Sequence, residues 1–94
     1  MDEKDLYIEK LNAQLKEWSA SIDVLKAKAD KANADLKIGY YKQLDDLKMK
    51  RDAARNKIDD LKTAGDDAWE RVTTAVEKSW GEIKAAFDKA QDRE

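Results

Sequence analysis

From Ile8 onward, apolar residues recur in steps that alternate between three and four: Ile8, Leu11, Leu15, Trp18, Ile22, Leu25, Ala29, Ala32, Leu36. That spacing puts one narrow stripe along a helix and buries it against another helix. A second stretch, Leu44 to Arg71, is a heptad written four times, opening at Leu44, Arg51, Ile58 and Gly65. Each block reaches its next seam position three residues later, at Leu47, Ala54, Leu61 or Ala68, with charge between. Both stretches predict long amphipathic helices, and Asp2 or Asp5 can cap the first.

Two features modify this reading of the first helix. Asn12, Gln14, Ser19 and Ser21 flank the seam without charge, where a two-stranded coil would often carry paired opposite charges. They predict a wider buried face with a third helix alongside, whereas Lys26 and Lys28 flank its later part. On the opposite side Leu6, Ala13, Ala20, Ala27, Ala34 and Tyr41 stand seven apart. This track is either a second contact surface or a solvated face, and the second is preferred because Ala costs nothing there.

Between the two stretches Leu36, Tyr40 and Leu44 are spaced four and four, a stutter that lets a seam continue. Gly39 beside it costs about 1 kcal/mol in a helix interior. Asn33, Asp35 and Gly39 are scattered and form no tight turn cluster. The preferred expectation is therefore one helix over residues 3–63, bent near Gly39, about 90 Å long. The alternative is a three-helix up-down-up bundle with its first turn between Lys31 and Asp35. Arg51 falls on the seam and is expected to pack its stem while its head escapes to water.

Gly65 keeps the heptad register but is also a residue type that ends helices, and Asp67 with Glu70 can form an N-cap pair. A break at 64–66 is expected. Beyond it Trp69, Val72, Ala75 and Val76 are echoed eleven residues later by Trp80, Ile83, Ala86 and Phe87. Eleven residues in three turns nearly match the natural helix, so a C-terminal helix over about 67–92 should fold back with little supercoiling. The expected fold is all-α with coiled-coil packing, in a single domain over residues 1–94. Its packing residues are Ile8, Leu11, Leu15, Trp18, Ile22, Leu25, Leu36, Tyr40, Leu44, Leu47, Ile58, Leu61, Trp69, Val72, Val76, Trp80, Ile83 and Phe87.

Composition agrees with this architecture. Of 94 residues, 43% are charged, with no Pro, no Cys, no His and three Gly, a profile of long helices and coiled coils. Net charge is -2, from 19 basic and 21 acidic residues interleaved, so nucleic acid is not an expected partner. Without His or Cys the commonest general base and the strongest ordinary nucleophile are missing. Asp45/Asp46, Asp59/Asp60 and Asp66/Asp67 diverge on a helix rather than converging on a cation. They read as solvated faces supported by pairs such as Asp46/Lys50 and Asp67/Arg71. No enzyme, cofactor or metal is expected.

The acidic start Met1 to Asp5 is unlike a secretory signal, and no apolar run approaches ~20 residues. A cytoplasmic protein is the expectation. Two Trp on the C-terminal helix raise a membrane-surface reading. Residues 66–94 carry eight acidic and five basic side chains, the wrong sign for anionic lipid, so packing against protein is preferred.

Four segments carry a resemblance over nearly the whole length: Leu11 to Trp18, Ala34 to Leu44, Ala64 to Glu70 and Ser79 to Phe87. Through them the chain resembles a family of short bacterial coiled-coil proteins described as stress-response proteins. The resemblance implies a small, non-catalytic bacterial protein induced by stress, and an uninterrupted helix where Gly39 stands. Residues 69–90 also resemble exchangeable apolipoproteins and some desiccation-protective proteins. The function expected is a structural or interaction module, an antiparallel homodimer first. Pairing about residues 32–36 would place Ile8 near Ile58 and Leu61, and Ala29 near Leu36 and Tyr40. An unidentified protein partner and a lipid-surface or dehydration-protective helix are the alternatives.

Overall fold

In a computed structural model, which describes residues 2–92, the chain forms three helices: α1 (Glu3–Lys31), α2 (Ala34–Thr63) and α3 (Asp66–Asp92). They run up, down and up in a bundle of 52 × 21 × 19 Å. The all-α class and the returning C-terminal helix are as expected.

The continuous helix over 3–63 is not formed. It is broken at Ala32–Asn33, within the alternative range, and no bend is needed at Gly39, which lies inside α2. The physical reason is local. Both Ala32 and Asn33 are extended, and the Asn33 side chain accepts a hydrogen bond from the Leu36 N–H at 3.1 Å. An Asn in this position satisfies one of the orphan donors at a helix start, which a single dissenting residue can do without a turn cluster. Folding back also buries the seam of α1 at once, whereas a rod would leave it in water.

The remaining ends follow the same logic. Asp2 caps α1 by accepting from the Asp5 N–H at 3.0 Å. Glu3 and Asp5 lie in the first turn of α1, and Lys28 and Lys31 in its last, each the favourable sign for the helix dipole. The expected break at 64–66 is present: α2 ends at Thr63 and α3 starts at Asp66. Asp67 is not the cap, however. It lies inside the first turn, and the Ala68 N–H donates to the Gly65 carbonyl at 3.0 Å.

The core forms two linked clusters. One joins Trp18, Ile22, Leu25 and Ala29 of α1 to Leu44, Leu47 and Ala54 of α2 and to Ile83, Phe87 and Ala90 of α3. The other joins Leu11 to Ile58, Leu61 and Val76, with Tyr7, Ile8, Trp69 and Val72 packed against it. Ala29 and Ala54 are fully covered, so small residues allow close approach while Trp18 and Phe87 fill the wider level. Ile8, expected to meet Ile58 and Leu61 of a second copy, packs within one chain against the cluster that holds both.

Candidate interaction surface

No buried polar or charged residue occurs among the described residues, and neither does a group of acidic side chains placed to hold a metal. Asp46 pairs with Lys50 at 2.8 Å, as its four-residue spacing predicts. Arg51 lays its stem on the bundle, its side chain 24% exposed, and its head reaches Asp52 at 3.2 Å. Lengthwise grooves flank α3, one lined by Gly39, Gln43 and Ala90 and another by Asp60, Val72 and Ala75. A third separates α3 from Tyr7 and Gln14 of α1.

The eighteen expected packing residues divide clearly. Leu11, Trp18, Ile22, Leu25, Leu44, Leu47, Ile58, Leu61, Val76, Ile83 and Phe87 are buried. Ile8, Leu15, Tyr40, Trp69, Val72 and Trp80 are half-buried and pack against them. Leu36 is the exception, at 58% exposed. It sits in the first turn of α2, past the end of the third helix. Lys4–Asp66, Tyr7–Trp69 and Trp18–Trp80 all join α1 to α3 at one constant offset, 62 residues. That register brings Ala90 level with Lys28, and α3 has almost ended before it could cover Leu36.

The sequence patterns missed Ala90, which is buried in the core, and Tyr7, which packs against it. The Tyr7 ring meets Trp69 edge-on at 6.1 Å. Burial, then the charge of Glu77, raise its phenol above the ordinary tyrosine value. The ammonium of Lys4 lies 5.2 Å from the Trp69 ring centroid and also pairs with Asp66. A signal for this was present in the uncharged flank of α1. Gln14 and Tyr7 share the side turned to α3, and Gln14, Ser19 and Ser21 are all partly covered while Asn12 is exposed.

The exposed large apolar side chains are Leu6 and Val24 on α1 and Leu36, Ile38, Tyr41 and Met49 on α2, with none on α3 among the described residues. The second track of α1 and α2, from Leu6 through Ala13, Ala20, Ala27 and Ala34 to Tyr41, is exposed throughout. Tyr41 is anchored there: its hydroxyl donates to Asp30 at 3.0 Å, tying α2 to α1. The apolar face of α3 is turned inward instead, and no described helix is long and apolar enough to cross a membrane. No protein-family model, no curated protein and no solved structure matches the chain.

Proposed function

We propose that the chain is a non-enzymatic structural or interaction module that acts by presenting helix surfaces to another protein, with a second copy as the first candidate. The observation that supports this reading is the asymmetry of exposure. Among the described residues, all six exposed large apolar side chains lie on the α1–α2 hairpin, and Ile38 and Met49 are 63% and 72% exposed. Ile38 and Met49 stand eleven residues apart, three turns on one face of α2, and such exposed apolar side chains become a contact surface when a partner covers them together. The Ile8 to Leu25 seam no longer argues for self-association, because α2 and α3 cover it.

The resemblance to short bacterial coiled-coil proteins adds a stress-related, cytoplasmic role to this proposal. The lipid-surface reading draws no support from the fold, since the aromatic face of α3 is committed to the core. Light scattering from micromolar to millimolar protein tests the proposal. Mass should rise with concentration already below the millimolar range, and the paired changes Ile38→Lys and Met49→Lys should suppress that part of the rise without loss of helix content. A constant monomer mass over the whole range would contradict self-association.

A further inference from the structure

The two joints of the bundle are specified very differently. At Ala32–Asn33 the side chain of Asn33 caps α2, and the seam changes to steps of four directly afterwards. At Ala64–Gly65 the seam passes through without a change of register. Leu61, Gly65 and Ala68 keep the spacing of Leu47, Arg51 and Ala54.

Ile58 opens the block before the joint and Gly65 the block after it, so the pattern reads straight through. Gly65 stands directly before the first turn of α3 and has no side chain with which to cap it. Its φ is not in the left-handed region, and a Cβ placed there meets nothing within 4 Å. Ala64 has φ -71° and departs from the helix in ψ alone, at 129°.

We propose that this joint straightens and that α3 is exchanged between two copies of the chain. In the exchanged dimer α2 and α3 form one helix over residues 34–92, about 90 Å long. Each α3 then seats on the α1–α2 hairpin of the other copy, with the contacts that Trp80 and Phe87 make to Trp18 within one chain. Every core contact is kept, and the helix gains backbone hydrogen bonds across the joint. A short linker gives the intramolecular seat an effective concentration in the millimolar range, so exchange grows as protein concentration approaches it. This contact goes beyond the exposed face of the hairpin and does not depend on it.

The test uses the full chain with Asp60→Cys and Ala75→Cys, two exposed positions on the same α2–α3 groove, in a protein with no Cys of its own. The dimer formed at millimolar concentration is isolated and treated with a short bismaleimide. In the exchanged dimer the two sites of one chain lie about 22 Å apart along a single helix, so the link joins two chains and a covalent dimer is expected. Gly65→Ala should lower the dissociation constant about 25-fold, about fivefold for each chain. Asp66→Pro, tolerated in a first turn but not inside a continuous helix, should abolish the link between chains with its helix content kept. Asp66→Ala controls for the loss of the Lys4 pair and should still dimerise. A dimer linked only within chains would overturn exchange while leaving association through the hairpin face intact. Monomer alone at millimolar concentration, for both the native chain and Gly65→Ala, would overturn both.

Discussion

The indole of Trp18 stacks on the ring of Phe87, centroids 5.0 Å apart and planes 6° from parallel, while Trp80 tilts against the same indole at 4.8 Å. This joins the middle of α1 to the second half of α3 at a level where α2 contributes Leu44 and Leu47. Trp18→Ala should therefore cost about 3–5 kcal/mol, a large share of what a domain of this size has. Urea unfolding followed by circular dichroism measures it. A loss below about 1 kcal/mol would mean that α3 does not pack on α1 as described.

Asn33 should matter more than its exposure suggests. Asn33→Ala removes the acceptor for the Leu36 N–H and should cost about 1 kcal/mol, whereas Asn33→Asp should be close to neutral. Equal stability of the native chain and the Ala variant in denaturant unfolding would show that the cap does not set the turn.

Gly39 and Gly81 lie in helix interiors, and a Cβ at either meets nothing within 4 Å. Gly39→Ala and Gly81→Ala should each stabilise the protein by about 1 kcal/mol, additively because the sites lie on different helices. Thermal melting should show both increments. Destabilisation at either site would contradict the open space assigned to it.

Tyr41 should titrate above the ordinary tyrosine value of 10.0, because its proton is held by Asp30. The folded state keeps this proton more tightly than the unfolded state. The stabilisation is thus complete below about pH 10 and is lost as pH rises through the raised value. Carbon-13 NMR of the Tyr41 ring gives the midpoint directly, and Asp30→Asn should lower it. Identical midpoints in the two proteins would remove the hairpin bond from the account.

Much of the helix packing was legible in the chain because a seam needs only spacing. Leu11, Trp18, Ile22 and Leu25 are buried where the alternation places them, and Leu44, Leu47, Ile58 and Leu61 likewise. The eleven-residue echo joined Trp69 to Trp80 and Val76 to Phe87 on one face, whereas Ala75, part of the same echo, is exposed. The path of the chain was less legible. Spacing is the same for a helix that continues and one that turns back, so the choice at Ala32–Asn33 fell to one capping side chain and to the burial gained by folding. Leu36 shows the limit of spacing from the other side: it keeps the seam position, but its exposure depends on where α3 ends. Tyr7 packs against the core only because a third helix lies beside α1.

The most direct test is small-angle scattering with mass determination on a dilute, monomeric sample. The account predicts a compact particle of about 52 Å in its longest dimension, with a Cα radius of gyration of 15.5 Å. A monomer with a maximum dimension near 90 Å, about the length of an unbroken helix over residues 3–63, would contradict it.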